Sequence, residues 1–426
     1  MADDILGKRD PHLATGTVLH DSPAPREITT DEPAPVRVAR PIRHVKFIPT
    51  KALVFHSKAG PIEFSYANKI QLPINKNRLV VEVHYVGLNP VDLKIKNGYS
   101  SAIYGEVGLG REYSGVISQV GENLQGDWRV GDEVFGIYYH PRLAKGTLQT
   151  SILIDPSVDP VILRPRNISP REAGCSLFCL GAAYNILDRL SSSKVLTTES
   201  NILINGGTSS VGMFTIQLLK YYYNVQKKLV VVTTGSSAEK LRDLFPDIAD
   251  DMIFVDYLAC RGKSSKPLEQ MIESESYTTF VGGQSVEAPY YQGKFDIVLD
   301  FIGGYDIVKH SKTLIQPNGT YLTTVGDYVG DYKNDVFNQT ENPSASARRL
   351  FGSMLWSYDY IHFNFNPSVK TARSNDWVNK CGDLLADGTV RCIIDKTYDW
   401  KKVKEAVAYL ATQRAQGKVV LEVEQF

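Results

Sequence analysis

Asn205 to Met213 reads NGGTSSVGM, with the apolar run Ile202-Leu203-Ile204 before it and Phe214-Thr215-Ile216-Gln217-Leu218-Leu219-Lys220 after it. An apolar run, a glycine turn and a helical run, in that order, are the pattern of a dinucleotide-binding βα unit. Aligned on G-x-G-x-x-G, the stretch places Gly207, Ser209 and Gly212 at the three glycine positions, so the middle one is replaced. The first glycine permits the tight turn, the middle one lets the backbone approach a pyrophosphate, and the third lets helix pack close to strand. A Cβ at Ser209 costs about 1 kcal/mol if the position needs φ > 0. The hydroxyls of Ser209 and Ser210 are also suited to donate to a phosphate at a helix N-terminus, where the dipole favours an anion. Obstruction and substitution both stand as readings of the serine, and the candidate cradle is Gly206, Gly207, Thr208, Ser209, Ser210, Val211 and Gly212.

Outward from this turn, KLVVVTTG, EKLRDLF, DMIFVDY, FDIVLDFIGG and TYLTTVG continue an alternation of strand and helix patterns. That alternation predicts a doubly wound parallel sheet with helices on both faces. Selection of NAD usually needs an acidic residue at the end of the second strand. Here stand Thr234 and Ser236, followed by Lys240, a neutral-to-basic set that favours NADPH; a plain Ser-rich loop is the alternative. Residues 258–292 interrupt the alternation with a polar stretch that reads as an insertion. Earlier, KALVFHS, RLVVEVHYVGLN and SGVISQVG read as short strands of a β-rich unit. Near Ser169 the pattern turns helical, with Glu172 three residues on, as in a capping box. The aromatic segment LFGSMLWSYDYIHFNFNP is read by default as core or dimer contact, with an exposed interaction surface as the alternative. The expected domains are a disordered tail over 1–46, a β-rich domain over 47–170 completed by 370–426, and a Rossmann-type domain over 171–369.

The 426 residues carry equal numbers of basic and acidic side chains, which gives no overall electrostatic case for nucleic acid. Five cysteines without a regular framework argue for a reducing compartment rather than a disulfide scaffold. No run approaches the roughly 18 apolar residues of a membrane span, so any membrane association is expected to be peripheral, from the cytoplasm. Within the Pro-dotted tail, PVRVARPIRHVKF alternates basic and apolar residues from position 35. Residues 35–46 suit an anionic membrane surface, at about 1 kcal/mol per basic residue. A solvated linker or an edge strand laid on the body is the plainer alternative.

Six motifs in order carry a resemblance: VGLNPVDLKIKNG, LGREYSGVISQVG, WRVGDEVFG, INGGTSSVGMFTIQLLK, FDIVLDFIGG and GKVVLEV. Together they resemble the zinc-free quinone-oxidoreductase branch of the medium-chain dehydrogenase/reductase superfamily, which implies a GroES-like β-rich domain plus a Rossmann domain. The length, the polar N-terminal tail, the NGGTSSVGM variant and the late aromatic segment are similar to the fungal ATPase-stabilising factors. That resemblance implies a peripheral membrane factor that helps deliver the plasma-membrane proton ATPase, or another membrane-protein client, to the cell surface. The branch implies the other function, a zinc-independent NADPH-dependent quinone or enone oxidoreductase, and a homodimer. Zinc-dependent relatives use a Cys in the turn corresponding to Gly87-Leu88-Asn89 and a His-Glu pair where this chain has Arg111-Glu112. A guanidinium does not ligate a cation, so no metal is expected. Cys175 and Cys179, four apart, read as packing cysteines. Asn89 and Asp92 match the turn that lines the cleft in the resembling enzymes and are the candidate catalytic residues; hydrogen-bonding the turn around Pro90 is their alternative role. The tyrosine that often follows this Asp is replaced by Lys94 or displaced to Tyr99.

Overall fold

The computed structural model describes residues 46–97, 105–140, 144–281, 284–328, 332, 343–368 and 376–425. The expected disordered tail and the basic segment from 35, up to residue 45, lie outside the described residues, as does Tyr99. The end of that basic segment is a strand: β1 (Lys46–Pro49) pairs antiparallel with β4 (Lys69–Leu72), after β2 (Ala52–Phe55) and β3 (Glu63–Ser65).

A ten-residue strand organises the β-rich part. β5 (Leu79–Leu88) buries Leu79, Val80, Val81, Val83 and Val86 completely, as expected of a strand covered on both faces. It leads through α1 (Pro90–Asn97) and β6 (Val107–Gly108) to β7 (Glu112–Val120), β8 (Glu133–Ile137), β9 (Ser151–Ile154) and β10 (Val161–Leu163). The order is β10-β8-β7-β5, with β9 also on β5, and two strands from the far end of the chain complete the sheet, as described below. At Ser169 the capping box forms: its hydroxyl accepts from the Glu172 amide and the Glu172 carboxylate accepts from the Ser169 amide, opening α2 (Pro170–Ala173). α3 (Leu177–Ser192) follows and sinks Leu180, Ala183, Ile186 and Leu187 into the largest core cluster.

The glycine turn lies between β11 (Ile202–Asn205) and α4 (Ser210–Gln217). Next come β12 (Leu229–Thr233), α5 (Gly235–Leu244), β13 (Met252–Asp256) and α6 (Ser265–Glu273). Residues 258–292, where periodicity fades, thus hold α6, with Leu268 and Met271 in the core, and a hairpin, β14 (Ser276–Val281) and β15 (Gln284–Pro289), that pairs only with itself. β16 (Phe295–Asp300), α7 (Tyr305–Lys309), α8 (Ser311–Leu314), β17 (Ile315–Thr323), α9 (Pro343–Leu355) and β18 (Tyr358–His362) finish the parallel sheet. Its order, β13-β12-β11-β16-β17-β18, reverses direction between β11 and β16. Ligands of open α/β sheets bind at the carboxyl ends of the strands at such a reversal. The aromatic segment supplies the last strand, with Tyr360 stacked on Tyr321 at 5.6 Å.

The chain closes with α10 (Asp376–Ala386), β19 (Ile394–Asp399), α11 (Val403–Ala411) and β20 (Lys418–Glu422). β20 lies antiparallel to β5, pairing Val419 with Leu88 and Val420 with Gly87, and β19 lies outside it. The sheet begun at Leu79 is therefore finished by the last strand of the chain. Loss of the capping hydroxyl in Ser169→Ala is expected to lower stability by about 1 kcal/mol, read as an earlier urea unfolding midpoint with an unchanged slope.

Candidate functional site

In the turn after β11, at the sheet reversal, Gly206 has left-handed backbone, at φ +89°. A Cβ there would stand 2.5 Å from Ile302 Cγ1, one at Gly207 2.2 Å from Val231 Cγ1, and one at Gly212 2.3 Å from the Gly206 carbonyl oxygen. These three positions keep the turn close to its neighbours. Ser209 is in extended backbone, φ −63° and ψ 154°, so its Cβ carries no conformational penalty. Its hydroxyl caps α4, accepting from the Gly212 amide at 3.0 Å. The Ser210 and Val211 amides are the first-turn N–H groups of the helix, which have no intrahelical acceptor. Thr208 ties the turn to β12 through a 3.0 Å contact of its hydroxyl with that of Thr233. The residues present fit a pyrophosphate: a glycine-tight turn with half-buried Thr208 to Val211 at a helix N-terminus.

At the neighbouring strand end, Thr234 caps α5 by accepting from the Ser237 amide at 3.1 Å, and Ser236 is exposed. Lys240 turns elsewhere: its ammonium lies 3.1 Å from Asp395 Oδ1 and 2.9 Å from the Gln416 carbonyl oxygen. Sequence reasoning missed Asp256, because it ends the third strand rather than the second. In register Asp256 faces Thr233, and its carboxylate accepts from the Gly235 amide at 3.0 Å and from Leu258 at 2.8 Å. An acidic group thus stands at the start of α5 after all.

The Asn89–Asp92 turn is fully engaged by the fold. Asp92 Oδ2 accepts from the Asn89 amide at 2.9 Å and Oδ1 from the Gly110 amide at 3.0 Å, with Arg111 Nε 3.7 Å away. Burial raises the Asp92 carboxyl pKa, and Arg111 opposes that rise. Arg111 is wholly buried and donates to the carbonyls of Gly108, Gly110 and Lys145. Asn89 Oδ1 accepts from Lys418 Nζ at 2.7 Å and from Cys179 Sγ at 3.3 Å, while Nδ2 donates to Glu112 Oε1 at 2.8 Å. Lys418 Nζ also lies 2.7 Å from Glu112 Oε1, and both side chains are 1% exposed. The other Glu112 oxygen accepts from the Phe178 amide at 3.0 Å. Burial opposes the Lys418 charge, yet Cys179 and Glu112 outweigh it and raise the ammonium pKa above the ordinary lysine value. Burial pushes the Cys179 thiol up to about 11, which keeps it protonated as a donor at neutral pH.

Of the positions where the resemblance implies metal ligands in zinc-dependent relatives, Asn89 and Glu112 here meet Lys418, while Arg111 turns to Asp92 and backbone carbonyls. Among the described residues no group of three or more His, Cys, Asp and Glu side chains is placed to hold a metal ion. Cys175 and Cys392 lie with their sulfurs 3.5 Å apart, both buried as free thiols. Over Phe178 runs an aromatic series that the sequence did not reveal, Tyr139, Phe178, Phe365 and Trp377, with neighbouring ring centroids 5.4 to 5.9 Å apart.

Comparison with known proteins agrees with this architecture. Residues 75–150 match the alcohol dehydrogenase GroES-like domain and residues 270–421 the zinc-binding dehydrogenase family. The quinone oxidoreductase from Coxiella burnetii superposes with a TM-score of 0.63 at 18% identity, over 88% of this chain and 100% of that one. The chain belongs to the medium-chain dehydrogenase/reductase superfamily. Protein AST1 of Saccharomyces cerevisiae is 60% identical over 429 residues and AST2 60% over 430, each alignment covering 100% of both chains. Within the superfamily the chain therefore belongs to the family of AST1 and AST2.

Removing the buried cation should be severe, because it leaves the Glu112 carboxylate without its partner. Lys418→Met is expected to cost about 3–5 kcal/mol, and adding Glu112→Gln should restore a large part, both read by chemical denaturation.

Proposed function

We propose that this chain is a reductase-fold peripheral membrane factor that works from the cytoplasm and stabilises the plasma-membrane proton ATPase, or a similar membrane-protein client, on its way to the cell surface. In this reading it has little or no turnover of its own. The observation that carries it is the engagement of the expected catalytic turn: Asn89 and Asp92 are each 1% exposed, and both Asp92 carboxylate oxygens and the single Asn89 side-chain oxygen already have internal partners. Full-length identity of 60% to AST1 and AST2 supports the same reading. The domain limits that go with it are 47–170 completed by 370–426, and 171–369, with a homodimer as the superfamily implies.

A second reading, a zinc-free NADPH-dependent quinone or enone oxidoreductase, is supported by the unstrained phosphate turn. NADPH, when bound, supplies a hydride. This chain's own contribution is to hold the pyrophosphate on the amides of Ser210 and Val211 and the adenosine end near Thr234 and Ser236. Asn89 and Asp92 then position the turn rather than touch substrate.

Titration of the purified protein with NADPH and NADH tests the turn first. Gly206→Ala is expected to weaken binding at least about tenfold, since φ +89° excludes a Cβ without strain, whereas Ser209→Gly should change it by less than about threefold because its backbone is already extended. Cells lacking the factor and supplied with Gly206→Ala then separate the two readings. Normal surface proton ATPase with no NADPH-dependent quinone reduction by the wild-type protein is the expected outcome. Sustained wild-type quinone turnover that Gly206→Ala abolishes would establish the second reading instead.

A further inference from the structure

The parallel sheet ends on one side at β18, within the aromatic segment read as core or dimer contact, and on the other at β13. β13 pairs with β12 alone, in a register that runs from Met252 to Asp256 without a shift. Beyond its end, the Tyr257 amide donates inward to the Thr233 carbonyl at 3.0 Å. Bonding direction alternates along a parallel strand, so the amide and carbonyl of Phe254 and the amide of Asp256 face outward, with no partner among the described residues. Exposed edges are usually blunted by charges, proline or a bulge. The run from Met252 to Val255 has none of these.

Along this edge lies a groove of about 380 Å³. Four consecutive residues of β13, Ile253 to Asp256, line it; since successive side chains point to opposite faces of a sheet, such a run sets the groove against the strand's edge. Three consecutive residues of β14, Ser276 to Thr278, line it as well, and the β14–β15 hairpin pairs only with itself. Two unpaired strand edges therefore border one slot, to which α6 adds Pro267 and Met271. The charged side chains in the lining are Asp256 and Glu287, both acidic. Asp256 is held by the Gly235, Leu258 and Ala259 amides, and exposed Glu287 accepts from the Ser276 hydroxyl at 2.6 Å.

We propose that this groove takes an extended, basic segment of the client protein by strand addition to β13. The inference rests on the client-delivery reading above and names the surface that meets the client. Open main-chain groups select an extended backbone, whose own amides and carbonyls recur at the spacing of the edge. Two carboxylates with no basic side chain in the lining select positive charge, and Pro267 and Met271 suit apolar residues between the basic ones. β13 and β18 are opposite ends of the sheet, so a homodimer formed through the aromatic segment leaves this groove open.

Fluorescence anisotropy with a labelled hexapeptide of alternating valine and lysine tests the assignment. The wild-type chain is expected to bind it at least about tenfold more tightly than a hexapeptide of alternating valine and glutamate. Methylating the main-chain amides of the lysine peptide should weaken binding at least about tenfold by removing its backbone donors, an effect that charge attraction alone does not produce. Glu287→Lys, at an exposed position, should weaken binding by a similar factor and leave the unfolding midpoint unchanged. Binding that is absent up to millimolar peptide, or that neither Glu287→Lys nor methylation alters, would overturn the proposal. In cells lacking the factor, surface proton ATPase restored by the wild type but not by Glu287→Lys would tie the groove to the client. Restoration by both would overturn the client assignment while leaving the delivery reading intact. No restoration by the wild type would remove the delivery reading itself, and the client assignment with it.

Discussion

The Lys418–Glu112 pair is the constraint from which much of the site follows. It joins the last strand of the chain to β7, and through Asn89 and Cys179 it reaches the end of β5 and the start of α3. Taking two charges out of water costs several kcal/mol per ion, and the cost is offset only when the remaining hydrogen-bonding positions are satisfied. Here they are: the ammonium has Glu112, Asn89 and the Leu88 carbonyl, and the carboxylate has Lys418, Asn89 and the Phe178 amide. A network so complete fixes the Asn89 side chain and leaves none of its polar atoms for a ligand. The same closing strand therefore completes the sheet and immobilises the turn that carries Asn89 and Asp92.

The glycine turn after β11 obeys a different logic. What it requires of the backbone falls on Gly206, not on Ser209, and what it requires of packing falls on Gly207 and Gly212. Serine at the middle position is tolerated because an extended residue before a helix is where a capping hydroxyl belongs. It satisfies the Gly212 amide and leaves the two preceding amides without an intrahelical acceptor. The two halves are also linked directly. Lys240 donates to the Gln416 carbonyl, and Gln416 Nε2 donates to Ser237 Oγ at 2.7 Å, two residues before Lys418 enters the buried network. Hydrogen bonds thus tie α5 to the strand that carries Lys418.

Much of this was legible in the order of motifs. The glycine turn, the alternation after it and the closing GKVVLEV placed the parallel sheet and the returning strand, and Ser169 with Glu172 announced a helix start that the structure bears out. What could not be read were contacts set by register and by long separation. Lys418 looks like a surface lysine until β20 is paired with β5, and Asp256 looks remote from the second strand until Thr233 is found opposite it. Phe178, Phe365 and Trp377 belong to three separate stretches, and no local periodicity links them. Lys240 suited a phosphate by charge alone; its partner Asp395 lies far along the chain.

Two buried cations, Lys418 and Arg348, do opposite things with similar means. Lys418 is drawn among backbone and side-chain acceptors at the junction of three elements, and it closes that region to ligands. Arg348 pairs with Asp327 under α9 and lies near Tyr305, Trp356 and Tyr360, which anchors that helix on its inner side. A helix held by an inward salt bridge does not depend on its apolar residues for attachment, and those residues are free to differ from a core-facing stripe. Leu350, Phe351, Met354 and Leu355 show the result, since burying them against the body would add hydrophobic stabilisation that the chain forgoes.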